Sequence, residues 1–347
     1  MTREIEINGR TIGAAHPCYI IAEVGVNHNG DLGLAHRLID LAAAAGADAV
    51  KFQTFVTDEL TLSDAPQAEY QARSVGEKSQ ADMLRQYELP FPAFAELQAH
   101  CAAAGVDFIS TAFDAVSLDY IIGLKPACLK WPSGEINNLP LLRMAARSGL
   151  PLLLSTGMGT LTEVSRALDW IGPDVPTVIL QCVSQYPAEI ADQNLRVLPA
   201  MQGAFGCPVG FSDHTIGPYA AIAARALGMA VLEKHFTMDR GMPGPDHHAS
   251  VEPDDFKNLV RIIREIEQGL GDGMKRPRAV EGDVAKVARK SLVYRRALAS
   301  GHILVEDDLT SKRPGTGVSP DQFDSFVGRR LKQDVQRDTL LKPDDVG

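Results

Sequence analysis

The sequence has no Cys-x-x-Cys pair, no excess of positive charge and no long apolar run. Its five cysteines, Cys18, Cys101, Cys128, Cys182 and Cys207, are scattered and odd in number. That argues against a disulfide framework or a zinc knuckle and fits a reducing cytoplasm. The formal net charge is −10, so the electrostatic footprint of a nucleic-acid or anionic-membrane binder is missing. An anionic substrate would therefore need local cations. No uncharged run approaches the ~20 residues of a membrane span, and Met1–Glu6 holds no apolar signal core. The expected location is the cytoplasm. There is also no Gly-x-Gly-x-x-Gly after the first strand and no P-loop, which counts against a doubly wound nucleotide-binding sheet.

What is present is a rhythm. The 347 residues, 45% hydrophobic and 22% charged, suffice for one large domain and a small one. Residues 3–12 alternate about Asn8-Gly9, a hairpin signal. Short β-rich runs then open at 19, 49, 107, 128, 151, 178, 208 and 231. Helical stretches near 34–45, 91–104, 116–122, 139–147, 161–170, 195–201, 219–227 and 253–269 separate and follow them. This pattern predicts an α/β fold, a (β/α)8 TIM barrel over residues 1–273. Segment 58–86 is a long polar excursion with Glu69, Arg73, Glu77, Lys78 and Asp82; such loops are lids or disordered. Residues 274–287 read as a linker. Residues 288–347 read as a small β-rich unit, marginal alone at that size and expected to pack on a partner.

Polar residues close the strands: Glu23, Lys51 with Gln53, Thr111, Lys130, Ser155, Gln181, Ser212 with His214, and Glu233 with His235. The C-terminal ends of barrel strands carry active sites. Side chains alternate along a strand, so Ser212 and His214 share a face, as do Glu233 and His235. Lys51 and Lys130 suit a doubly anionic ligand; the alternative is purely structural ion pairing. Thr111, Ser133, Ser155 and Ser212 add hydroxyl donors. Glu23 and Glu135 are candidate acid–base or sugar-binding carboxylates, and Glu23 could equally pair with Lys51 or Lys130. His214 and His235 are either two ligands of a borderline metal or hydrogen-bonded core residues.

The motifs Glu23-x-x-x-Asn27-His28-x-Gly30, Lys51-Phe-Gln53-Thr54, Pro132-Ser133-Gly134-Glu135, Ser155-Thr156-Gly157-Met158, Phe211-Ser212-Asp213-His214-Thr215, Glu233-Lys234-His235-Phe236, Gly244-Pro245-Asp246-His247 and Lys312-Arg313-Pro314-Gly315 resemble those of the sialic acid synthases. They follow in order from about residue 17 to 340. The resemblance implies a TIM barrel followed by an antifreeze-like (SAF) domain. It also implies a domain-swapped homodimer whose small domain covers the partner's barrel mouth. The implied reaction condenses phosphoenolpyruvate with an open-chain N-acetylated amino sugar, with Mn²⁺ or Mg²⁺ bound by His214 and His235. Lys51, Thr111, Lys130, Ser133, Ser155, Ser184 and Ser212 would hold phosphoenolpyruvate. Gln53, Glu135, Tyr186 and Asp246 would face the sugar. Glu23 would orient water or move a proton, and Arg313 would come from the other subunit. N-Acetylmannosamine is the expected acceptor, giving N-acetylneuraminate. A 2,4-diacetamido-trideoxy sugar, giving legionaminic acid, is the alternative, and a non-catalytic sugar-binding protein is the rival of another class. Val183, Ala112 and Trp131 depart from the family pattern, and Glu233 has no assigned role.

Overall fold

The computed structural model of the chain describes residues 3–67, 76 and 79–347. They form two compact units, Met1–Gly271 and Asp272–Gly347.

Residues Ile5–Ile7 (β1) and Arg10–Ile12 (β2) pair as an antiparallel hairpin. Asn8 and Gly9 at its turn take φ of 45° and 75°, the positive values a two-residue turn requires. The barrel strands follow: Tyr19–Gly25 (β3), Ala49–Thr54 (β4), Asp107–Ala112 (β5), Leu129–Trp131 (β6), Leu152–Ser155 (β7), Thr177–Cys182 (β8), Val209–Asp213 (β9) and Val231–His235 (β10). They close in the order β10-β3-β4-β5-β6-β7-β8-β9, all parallel. Both faces of such strands are covered, so each reads as a nearly continuous apolar run until its polar end.

Helices surround the ring, each set by local chemistry. Asp31 caps helix Leu32–Ala44, accepting from the Leu34 amide. Asp114 and Asn138 cap Ala115–Leu124 and Leu139–Arg147 in the same way. Thr160 and Glu163 form a reciprocal capping box at Leu161–Ile171, satisfying amides that the first turn leaves unpaired. Phe52, Phe94, Phe211 and Phe256 bury between the helices and the outer faces of the strands.

Inside the ring, the period-two alternation stacks layers. Tyr19, Ile21, Ala49, Ile109, Leu153, Val178 and Val231 make an apolar lower layer, and hairpin residues Ile5, Ile7 and Ile12 pack against it. The hairpin is thus the floor of the barrel. Two residues beyond Ile21, Ala49, Ile109, Leu153 and Val231 the interior turns polar, while β8 keeps the apolar Leu180 at that level.

Two stretches differ in detail from the sequence reading. Gln181 points out of the barrel, where its Nε2 donates to the Gln193 carbonyl at 3.1 Å. Alternation from Leu180 puts Cys182 inward instead. Stretch 274–287, read as a linker, contains the short helical pieces Ala279–Glu281 and Gly282–Ala288. Its alanines and polar residues support helix once past Pro277. Val280, Val284 and Val287 stay 87%, 63% and 64% exposed.

The described residues of the excursion after β4 include two short helices. Helices Thr57–Leu60 and Gln80–Leu84 flank a Pro66–Ser79 bridge. Met83, Tyr87, Val26 and Phe55 form an apolar cluster, with Leu60, Leu84 and Phe113 packed against it. Glu69, Arg73, Glu77 and Lys78 lie outside the described residues. Asp82 pairs with Arg85 at the surface.

In the second unit, Ser291–Tyr294 (β11) and Leu309–Lys312 (β12) pair antiparallel. Leu292, Tyr294, Leu304, Leu309, Phe326 and Leu331 form its core. The fully buried Asp308 organises this unit: it accepts from Arg296, His302 and the Val305 amide. Among the described residues, no helix is long and apolar enough to cross a membrane.

Candidate active site

The polar layer lines a cavity of about 360 Å³ at the C-terminal ends of the strands, within the range of small-molecule sites (~300–1,000 Å³). Glu23, Lys51, Gln53, Thr111, Lys130, Ser133, Ser155, Ser184, Tyr186, Ser212, His214, His235 and Asp246 all line it. Cys182 and Glu233 join them.

Two of the candidates lie elsewhere. Glu135 is absent from the lining; it accepts from Asn138 Nδ2 at 2.6 Å. The 3-10 turn Ser133–Glu135 aims Ser133 inward and leaves Glu135 to brace its own loop. Trp131, bulky for its position, donates to the Glu135 carbonyl at 2.8 Å and fixes the same turn. Arg313 belongs to the second unit, is exposed, and donates from Nε to the Ala288 carbonyl.

The charges form one connected set. Lys51 Nζ sits 2.8 Å from Glu23 Oε1 and donates to Thr111 Oγ1 at 3.1 Å. Lys130 Nζ is 3.5 Å from Glu233 Oε1, and Lys51 is 4.0 Å from Glu233 Oε2. Ser212 Oγ donates to Glu233 Oε1 at 2.7 Å. Glu233 therefore stands between the two lysines. Burial alone would raise its pKa, but Lys130, Lys51 and the Ser212 hydroxyl hold it down at about 2. Glu23 goes the other way: burial, with help from the nearby Glu233, raises it despite Lys51. The pair thus splits into a firmly ionised carboxylate and one poised to take a proton. Asp246 is also pushed up, to about 7, by burial and the charge of Glu23.

Backbone approach is tight around this set. A bulge in β3 lies between Glu23 and Gly25. Gly25 has φ of 54°, and a Cβ there would lie 2.9 Å from Glu23 Oε1. Across the cavity, a Cβ on Gly157 would fall 2.4 Å from Ser184 Oγ and 2.8 Å from Cys182 Sγ. Only glycine leaves these hydroxyl and thiol groups facing open space.

The two histidines meet as the strand register requires, since Lys234 of β10 is level with Asp213 of β9. Their ring centroids are 5.5 Å apart, and Tyr186 packs on both, 4.1 Å from His214 and 5.3 Å from His235. Behind them, Lys234 Nζ donates to Asp213 Oδ2 at 2.7 Å and to the Thr215 carbonyl.

Donor counting tests whether a cation fits. His214 Nδ1 is 2.6 Å from the Val183 carbonyl, which only accepts, so this nitrogen carries the proton and Nε2 keeps a lone pair. Ser212 Oγ is 3.3 Å from Nε2, yet its single proton is engaged by Glu233. His235 Nδ1 is buried with no partner; Asp246 Oδ2 stands 3.8 Å away. Burial lowers His214 to about 4 and His235 well below the usual range, with His214 and Lys51 adding to the latter. Two neutral imidazoles with unused lone pairs suit a divalent ion. Among the described residues no third His, Cys, Asp or Glu completes a protein-only site, so substrate and water would supply the remaining positions.

Other buried atoms also lack partners: Glu23 Oε2, Glu233 Oε2 and Ser155 Oγ. Buried polar atoms in folded proteins are nearly always satisfied. Several unsatisfied ones in a single cavity mark a place made to be filled.

Sequence reasoning missed Cys182, Met83, Tyr87, Phe55 and Phe113 as lining residues. Period-two counting from Leu180 would have found Cys182. Met83 and Tyr87 arrive from the excursion, and no local pattern signals that.

Comparison with known proteins agrees with this geometry. The NeuB family model matches residues 38–275, and the SAF domain model matches residues 289–347. The N,N'-diacetyllegionaminic acid synthase of Legionella pneumophila is 43% identical, covering 97% of each chain. The enzyme of the same name from Campylobacter jejuni is 41% identical over 93% of this chain and 98% of its own. The crystal structure of an N-acetylneuraminic acid (sialic acid) synthetase from Leptospira borgpetersenii, in complex with citrate, superposes with a TM-score of 0.73. That protein is 34% identical, over 82% of this chain and 95% of its own.

Proposed function

Because this chain belongs to the NeuB family, whose members join phosphoenolpyruvate to an amino sugar, we propose that its acceptor is an open-chain 2,4-diacetamido-trideoxy sugar and its product a legionaminic-type acid. The observation that carries the reaction is the cavity holding Lys51 and Lys130 together with two neutral imidazoles. The acceptor rests on the two legionaminic acid synthases, at 43% and 41% identity, against 34% for the sialic acid synthetase. N-Acetylmannosamine, the acceptor expected from the motifs, becomes the second reading.

Lys51 and Lys130 bind the phosphate and carboxylate of phosphoenolpyruvate. Thr111, Ser133, Ser155, Ser184 and Ser212 add hydroxyl donors. Glu233 stands between both lysines and orients Ser212. His214 and His235 would hold the divalent cation, Mn²⁺ or Mg²⁺, which supplies Lewis-acid polarisation of the acceptor aldehyde. Gln53, Tyr186 and Asp246 orient the sugar. C3 of phosphoenolpyruvate forms a bond to the aldehyde carbon as the C2=C3 π bond opens, water adds at C2, and the C2–O bond to phosphate breaks to leave a ketone; one proton of the water ends on the former aldehyde oxygen and the other leaves with the phosphate. Glu23, with its pKa raised and Oε2 unpartnered, takes the proton from that water. The lysines stabilise the departing phosphate in a site that excludes bulk water.

A homodimer belongs to the same proposal, with Arg313 reaching a partner's sugar and the exposed Val280, Val284 and Val287 offering contact surface; light scattering gives its mass. The scattered free cysteines suit a cytoplasmic enzyme.

The deciding experiment measures phosphate release from phosphoenolpyruvate with N-acetylmannosamine, its 6-phosphate and the 2,4-diacetamido-trideoxy sugar, before and after chelation. We expect the trideoxy sugar to turn over fastest and chelated enzyme to recover only on adding Mn²⁺ or Mg²⁺. Release unaffected by chelator sinks the metal role. Silence across the panel returns the protein to the sugar-binding reading.

A further inference from the structure

One side of the cavity has no part in the chemistry above. Leu60, Met83 and Leu84, from the two helices of the excursion after β4, line it together with Phe55, Phe113 and Tyr87. Met83 and Phe55 are almost fully buried and pack together with Tyr87. Leu60, Leu84 and Phe113 are packed against that cluster. Arg85, the basic residue that follows these helical positions, points away to Asp58 at 2.7 Å. Among the described residues of the cavity, Lys51 and Lys130 are the cations, and both are already committed to the Glu23–Glu233 set.

This wall suits methyl groups and opposes hydroxyls. A buried methyl-sized group gains roughly 0.8 kcal/mol, about fourfold in affinity. A hydroxyl turned toward the same side chains loses water and finds no partner, which costs more. Tyr87 and Gln80 supply the polar points of this side, and Gln80 Oε1 already accepts from Thr61 Oγ1. Burial and the charge of Asp246 raise the Tyr87 pKa, so the phenol stays protonated and can donate to an amide carbonyl.

We infer that Leu60, Met83 and Leu84 form the specificity wall for the acceptor, selecting a sugar with a methyl terminus and a second acetamido group over one with hydroxyls at those positions. The inference rests on the acceptor class proposed above. It gives a chemical reason for the excursion, whose helices no barrel needs for closure.

The test compares kcat/KM for the 2,4-diacetamido-trideoxy sugar with that for N-acetylmannosamine in the full-length, metal-loaded enzyme. Wild type, Met83→Gln, Leu84→Gln and the conservative Met83→Leu are measured side by side. Leu84 is only partly buried, so Leu84→Gln guards against a Met83→Gln protein that fails to fold. The expected result is a preference lowered at least fivefold in the Gln variants, through KM for the trideoxy sugar, and retained in Met83→Leu. The KM for phosphoenolpyruvate stays put. A wild-type preference that both Gln variants keep overturns this inference alone. Wild-type enzyme that makes no use of the trideoxy sugar overturns the acceptor reading and this inference with it.

Discussion

At the floor of the barrel, Arg225 donates to Glu267 and to the carbonyls of Ala14, Met229 and His16. Glu267 in turn accepts from the Cys18 amide and Arg264, while Asp48 accepts from Arg10, Arg264 and the Ile20 amide. At the mouth, Glu23 Oε2, Glu233 Oε2, Ser155 Oγ and His235 Nδ1 are buried without hydrogen-bond partners. Both ends bury charge. The floor completes its hydrogen bonds from within the chain, and the mouth leaves places open. Asp308 in the small unit follows the floor's pattern, with both oxygens engaged. The difference separates charge that holds a fold from charge that awaits a ligand.

Three measurements would break or sharpen that contrast. The largest effect is expected at the mouth. Lys130→Met should lower kcat/KM by about a thousandfold, on the order of 4 kcal/mol of transition-state stabilisation. It should move the thermal midpoint far less than a floor substitution does. A variant of near-normal activity would place Lys130 among structural ion pairs.

The mirror experiment is at the floor. Arg225 is 2% exposed, and Arg225→Met strands Glu267 with fewer donors. Breaking a buried pair costs about 3–5 kcal/mol. Urea unfolding followed by the fluorescence of Trp131 and Trp170, both in the barrel unit, should show that loss. Below its midpoint the variant should keep a normal KM for phosphoenolpyruvate. A changed KM with an unchanged midpoint would dissolve the contrast.

The smallest effect concerns pH. Burial would raise the Asp308 pKa, but bonds from the Val305 amide, His302 and Arg296 win and lower it. A folded pKa below the unfolded one, near 4, means the ionised group stabilises the small unit above pH ~4. That contribution is lost as pH falls through the folded value. Hydrogen exchange in residues 289–312 of the full chain should therefore rise below pH ~4. Asp308→Asn should flatten that dependence and cost on the order of 1 kcal/mol near neutrality. Equal acid sensitivity in both proteins would remove Asp308 from its place beside the floor network.

Much of this was legible in the residues. The Phe91–Ala104 and Leu139–Arg147 helices and the Val231–His235 strand begin and end where the residue pattern puts them. The inward set Glu23, Lys51, Lys130, Ser212 and His214 follows from alternation alone. Glu135 does not line the cavity; it lies on a 3-10 turn past the strand. Gln181 failed by one register step.

The sequence by itself determined the eightfold repeat of strand and helix, the polar ends of the strands and the faces on which they fall, because these depend on neighbours one to four residues apart. Only the closed barrel decided the rest. It set Glu233 between lysines from β4 and β6, left His235 Nδ1 with no donor or acceptor in reach, and brought Leu60, Met83 and Leu84 to the mouth. Those contacts join residues tens to hundreds of positions apart. A charge's partners, and a cavity's unpaired atoms, exist only once the ring has closed and excluded water.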